Sequence, residues 1–223
     1  MIDFASVRTR MVDSQLRTED VTDHDILRAM GEIPRESFVP GHLKPLAYVD
    51  DDLLLREATA TAPARHLVRA APLARLLQAA EVDASDIVLD IGCATGYSAA
   101  VLARLANSVV ALESDADLAA QATETLVELG IDNVAVVTGP LEAGYPSEGP
   151  YDVILAAGAV EVVPEPLLAQ LKEGGRLIAV VGHGRAASAM LYTRTDGEIG
   201  SRPLFNAFVP PLPGFARPRA FVF

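Results

Sequence analysis

The chain has 223 residues, half of them hydrophobic and 22% charged, with a formal net charge of −12 and a pI near 4.7. That suffices for one α/β domain with a modest extension, and it excludes a disordered chain. The acidic balance argues against binding to a nucleic-acid backbone, and the single cysteine, Cys93, excludes an internal disulfide framework and fits a reducing cytoplasm.

The opening Met1-Ile-Asp-Phe-Ala-Ser has neither the basic nor the apolar region of a signal peptide, and the apolar segments are too short or too interrupted for a bilayer. A soluble cytoplasmic protein is expected. Residues 3–31 read as two helices, with Val7, Met11 and Leu16 and then Ile26, Leu27 and Met30 near helical spacing. The polar stretch 18–25 between them supplies an N-cap, and Pro34 closes the region. Residues 41–62 read as irregular, the acid run Asp50-Asp51-Asp52 as a solvated loop or helix cap, and residues 56–64 as a small-residue loop. Residues 67–80 read as a helix carrying Leu73, Leu76 and Leu77.

Strand 87–91 follows, then the turn Gly92-Cys-Ala-Thr-Gly96, then a helix over 97–105. Strand, small-residue turn and helix start make a nucleotide-binding βα unit, where backbone comes close to a ligand and free helix N–H groups face it. A dinucleotide fingerprint would need a small residue at position 97, and tyrosine stands there. The pattern is instead Asp90-x-Gly92-x-Ala94-x-Gly96, with an acid at the strand end. That acid suits a cationic ligand, and S-adenosylmethionine (AdoMet) carries both an ammonium and a sulfonium. A second strand, 108–112, ends in Glu113-Ser114, where an acid can hold ribose hydroxyls. This reading requires Asp90 and Glu113 to share one crevice, with the bend between them open.

The alternation then continues: helix 115–129 stopped by Gly130, strand 134–138, strand 153–157, helix 164–172 and strand 176–181. Residues 187–194 and 216–223 read as strands with no helix between them, so an antiparallel hairpin is expected to finish a mostly parallel, doubly wound sheet. Residues 1–80 are then a helical, substrate-loop extension packed on a core of 81–223. The four histidines show no metal-ligand spacing, and nothing fixes an oligomeric state.

Several motifs in order resemble the protein-L-isoaspartate O-methyltransferase family over nearly the whole chain. They are Arg10-Met-Val12 with Gln15-Leu16, Ile33-Pro34-Arg35-x-x-Phe38-Val39-Pro40 with Ala47-Tyr48, and Pro150-Tyr151-Asp152. Gln170-Leu171-x-x-Gly174-Gly175-Arg176-Leu177 and Phe208-Val209-Pro210 complete the set. The resemblance implies a Rossmann-like class I AdoMet-dependent methyltransferase fold, seven-stranded, with helical additions at the N-terminus. It also implies AdoMet as cofactor, a protein or peptide carboxylate as acceptor, no nucleic acid or membrane partner, and repair of damaged aspartyl residues. A carboxylate is ionised at neutral pH and needs no general base, so the missing His–acid pair is consistent with that reaction.

Three departures from the family bear on the site. The family's acceptor-contacting serine falls on Val68 when counted without gaps, and Thr61 is the one candidate hydroxyl if an insertion is allowed. Pro140-Leu141 stands where the family has an Asp-Gly adenine contact, leaving the Leu141 N–H, with Glu142 as a shifted substitute. Ala94 replaces the middle glycine of the turn, which is tolerable at negative φ and strained otherwise. Two alternatives to carboxyl methylation therefore stay open: another methyl acceptor on this scaffold, or a non-catalytic descendant that binds a nucleoside or a partner.

Overall fold

The computed structural model describes residues 2–60, 62–182 and 184–216, and of Arg185 the backbone alone. Helix α1 (Phe4–Met11) is capped by Asp3, which accepts the Ser6 N–H, and it continues through a π-helical turn, Val12–Leu16. Helix α2 (His24–Glu32) starts where the Asp23 carboxylate accepts the N–H groups of Asp25 and Ile26, as the polar stretch predicts. Two 3-10 turns follow, at Arg35–Phe38 and Gly41–Leu46.

The region expected to be loop contains structure. Strand β1 (Leu53–Arg56) pairs antiparallel with β2 (Arg65–Leu67), and this claims Leu67, which the sequence assigns to the next helix. Helix α3 therefore runs Ala70–Ala80 and carries Pro72 in its first turn, where a missing N–H costs nothing. Asp52, from the acid run, accepts the N–H of Arg69, the residue ahead of that helix, at 2.8 Å, while no side chain caps the helix's own first N–H groups.

The main sheet has strand order β5-β4-β3-β6-β7-β8-β9. Its strands are β3 (Ile87–Ile91), β4 (Ser108–Glu113), β5 (Val134–Thr138), β6 (Tyr151–Val160), β7 (Leu171–Val181), β8 (Ser188–Thr195) and β9 (Glu198–Asn206). Pairs from β5 to β7 are parallel and the last two antiparallel, the seven-stranded arrangement expected. Helices α4 (Tyr97–Leu102), α5 (Ala116–Glu128) and α6 (Glu165–Leu168) lie between them. The hairpin's second strand is β9, not the expected 216–223, of which only Ala216 falls within the described residues. Helix α6 stops four residues before the expected end, because β7 already begins at Leu171, just after Gln170, whose carbonyl accepts the Tyr151 N–H at 2.8 Å.

Alternation along the strands divides the core in two. Val88, Val109, Val153, Leu155, Ile178 and Val180 face a cluster that includes Met11, Leu16, Met30 and Phe38 of the extension. Leu89, Ile91, Leu112, Ile154, Leu177 and Ala179 face the other, which holds Leu141, Leu167 and Leu212. No helix among the described residues is long and apolar enough to cross a membrane.

Candidate functional site

Parallel pairing sets the ends of β3 and β4 side by side, with Asp90 opposite Ala111 and Ile91 opposite Leu112. In an open α/β sheet the ligand crevice lies at these C-terminal strand ends. The two acids expected there are both buried, and they are held differently. Glu113 is saturated by hydrogen bonds. Its Oε2 accepts from the Ala94 N–H at 2.8 Å and from Arg65 Nη2 at 2.5 Å. Its Oε1 accepts from the N–H groups of Ser114 at 2.8 Å and Asp115 at 3.1 Å, and from the Ser114 hydroxyl at 3.2 Å.

Asp90 is under-satisfied. Its Oδ2 accepts the Ser98 hydroxyl at 2.6 Å, while its Oδ1 is buried without a partner. Burial pushes the Asp90 carboxyl up to about 7; Ser98 pulls it down, and the nearby charge of Glu113 pushes it further up. Glu113 is thus near enough for its charge to act on the Asp90 carboxyl.

The turn between them is left-handed at three positions, with φ of +79° at Gly92, +51° at Ala94 and +95° at Gly96. Ala94 is thus on the strained side of the alternative posed by its sequence, and its N–H to Glu113 holds it there. Gly96 meets α5 rather than the crevice: a Cβ there would stand 3.1 Å from the Ala122 Cβ, so this glycine admits close helix packing. Cys93 is buried, and burial drives its thiol pKa well up, as suits a small turn residue and not a nucleophile.

The bend is not open, contrary to expectation. Arg65, from β2, is buried against Glu113 and also donates to the Gly92 carbonyl at 3.3 Å. Arg56, from β1, pairs with Asp115 at 3.0 Å and Asp117 at 2.9 Å, so the small β1–β2 sheet is tied to the start of α5. From the other side, Leu212 lies over the turn. A Cβ on Gly92 would come within 2.5 Å of its side chain, and one on Gly158 within 2.8 Å. The segment is seated there by Ala159, whose N–H donates to Pro210 O and whose carbonyl accepts from Leu212 N, each at 2.8 Å. A cavity of about 20 Å³ is left, lined in part by His66, Val68, Cys93, Tyr97 and Ser98. Small-molecule sites occupy roughly 300–1,000 Å³, so this conformation is closed.

Of the remaining expected site residues, Leu141 is buried among Leu89, Ile91, Leu112 and Leu212, and Pro140 beside it is exposed. Thr61 lies outside the described residues. Val68 lines the cavity, and its carbonyl accepts from Arg35 Nη2 at 2.8 Å. Sequence reasoning missed Arg65, Arg56, Ser98 and Leu212. Nothing in its spacing singles out Arg65, which follows the small-residue stretch 56–64 and precedes His66-Leu67-Val68-Arg69. Among the described residues, no three His, Cys, Asp or Glu side chains are grouped to hold a metal ion.

The donor set fits AdoMet: a buried carboxylate oxygen without a partner, a second acid at the neighbouring strand end and a glycine-bent turn between them.

Comparison with known proteins places these features in context. A family described as protein-L-isoaspartate(D-aspartate) O-methyltransferase matches residues 7–212. A protein-L-isoaspartate O-methyltransferase of Methanoculleus marisnigri is 37% identical over 207 residues, 93% of this chain and 91% of the relative. One of Koribacter versatilis is 38% identical over 211 residues, 95% and 92% of the two chains. A solved protein-L-isoaspartate O-methyltransferase superposes with a TM-score of 0.80 at 29% identity, over 93% of this chain and 67% of that one. A Plasmodium falciparum protein solved with S-adenosyl-L-homocysteine has the same fold, at TM-score 0.77 and 18% identity, over 93% and 98%.

Proposed function

The chain belongs to the protein-L-isoaspartate(D-aspartate) O-methyltransferase family, and from that premise we propose how its own residues carry out AdoMet-dependent methylation of an isoaspartyl carboxylate. The observation that supports the assignment of roles is the pair of buried acids at adjacent strand ends, one of them with an oxygen left unpaired. Glu113, oriented by the N–H groups of Ala94, Ser114 and Asp115, accepts hydrogen bonds from the ribose hydroxyls. Asp90, oriented by Ser98, offers its free Oδ1 to the cationic end of the nucleoside. Gly92 and Ala94 bring backbone close to the ligand, and the loop at Pro140 and Leu141 bounds the adenine side, where only Leu141 has an N–H to give.

When bound, AdoMet supplies an electrophilic methyl group. The chain's part is positioning: it holds an already ionised acceptor carboxylate in line and keeps water out, with no proton to move. The acceptor is a damaged aspartyl residue of a protein or peptide, which fits the family's repair role.

The test joins calorimetric titration with S-adenosylhomocysteine to an ester-formation assay on an isoaspartyl peptide. Micromolar binding and ester formation are expected of the native chain. E113Q is expected to weaken nucleoside binding about 10- to 100-fold, the range for losing a hydrogen bond to a charged group. Binding without ester formation would reassign the acceptor; no binding would end the methyl-donor reading.

A further inference from the structure

Arg65 has no role in the scheme above, yet it is the most unusual side chain of the site. It is a guanidinium buried at 6% exposure, 2.5 Å from Glu113, with Nη1 buried and without a partner. While that guanidinium lies on Glu113, it occupies the carboxylate oxygen the ribose would use. A buried guanidinium that loses its carboxylate is in turn a severe defect unless another anion replaces it. The acceptor of the reaction is such an anion.

We propose that Arg65 exchanges carboxylates: it holds Glu113 in the closed site, yields Glu113 to the nucleoside's ribose, and then receives the isoaspartyl carboxylate. This rests on the methyltransferase reading and adds an acceptor-binding residue to it. The fold permits the movement. Arg65 sits on a three-residue strand of a separate two-stranded sheet, so β2 can shift without breaking a hydrogen bond of the main sheet. Its planar fork suits a carboxylate through two parallel N–H···O bonds. The free Nη1 gives it the second donor such a pair needs.

Partner exchange makes nucleoside and acceptor bind cooperatively, and reciprocally so. The experiment measures S-adenosylhomocysteine affinity by calorimetry with and without an isoaspartyl peptide, on the native chain and on R65Q and R65K. The peptide is expected to tighten native binding about tenfold, within the usual span of coupling between sites. R65Q is expected to bind the nucleoside alone at least as tightly as the native chain, because Glu113 is already released, and to show no coupling. R65K is expected to keep part of it. Native binding without coupling, coupling retained in R65Q, or weaker nucleoside binding by R65Q would each overturn the exchange while leaving the methyltransferase reading intact. Failure of the native chain to bind the nucleoside under either condition would remove both. Should R65Q not fold, hydrogen exchange on the native chain decides. Adding the nucleoside alone is expected to speed exchange at β1 and β2, and adding the peptide to slow it again. Unchanged or slower exchange with nucleoside alone counts against the proposal.

Discussion

A carboxyl group whose folded pKa lies near 7 costs stability once it must ionise, and Asp90 is such a group. Its pKa rises from 3.8 unfolded to about 7 folded. Between those values the native state binds more protons than the unfolded one, so this group's contribution falls as pH rises and stays lowered above pH 7. D90N removes the ionisation. Relative to the native chain, it is expected to gain stability progressively from pH 4 to 7, by up to about 4 kcal/mol, while nucleoside binding is lost. Urea unfolding of both proteins at pH 5 and pH 8 checks this; a constant difference between them across pH would refute it. Ala94 carries a smaller strain, with φ at +51°. A94G is expected to raise unfolding free energy by about 1 kcal/mol, readable in the same experiment. Asp90 and Glu113 were legible in the sequence because strand ends and a small-residue turn fix their positions relative to each other. Arg65 was not, since a cation's partner 48 positions away leaves no periodic trace.

Elements with a buried face were the ones that spacing could find. Strands β3 and β5 match the expected residues to both ends, and α5 differs by one residue at each. Strand β9 was invisible because seven of its nine residues are exposed, so neither face carries an apolar alternation. Pro203 sits on it without harm because it is an edge strand. The 33–40 motif, recognisable by resemblance alone, turns out to brace the turn between β3 and α4. Thr95 donates its hydroxyl to Phe38 O at 2.6 Å, and the Phe38 ring meets Tyr97 edge-on at 5.5 Å. The buried Arg35 guanidinium donates to Ala47 O and Val68 O at 2.8 Å each and lies 4.8 Å from the Tyr97 ring centre. Removing this fork strands two carbonyls and empties a packed site, so R35A is expected to cost about 3 kcal/mol. R35K should recover little of it, since one ammonium cannot span both carbonyls and stack on the ring. Chemical denaturation of the two variants gives the answer, and near-native stability of R35K would show that charge alone suffices.

The molecule as a whole folds around a sheet whose two faces are covered unequally. One apolar cluster takes Met11, Leu16, Met30 and Ile33 of the extension together with Leu73 and Leu77 of α3 and Val88, Val153 and Ile178 of the sheet. Packing is therefore continuous from the first helix to the central strands, and the extension has no separate core on which to fold. Residues 53–67 leave that extension to reach across to Glu113 and Asp115, so its cover and the site's closing arm belong to one stretch of chain. Two consequences are expected. The full chain unfolds in one cooperative step, with calorimetric and van't Hoff enthalpies equal, because no subset of elements keeps a buried core alone. A chain lacking residues 1–46 exposes the cluster's outer side, so it is expected to bind a hydrophobic dye and to lose near-ultraviolet dichroism while keeping much of its far-ultraviolet signal. A second thermal transition in the full chain, or a truncated chain with native tertiary signals, would show that the sheet stands without its cover. In that case the extension would owe its place to the site it braces rather than to the core it fills.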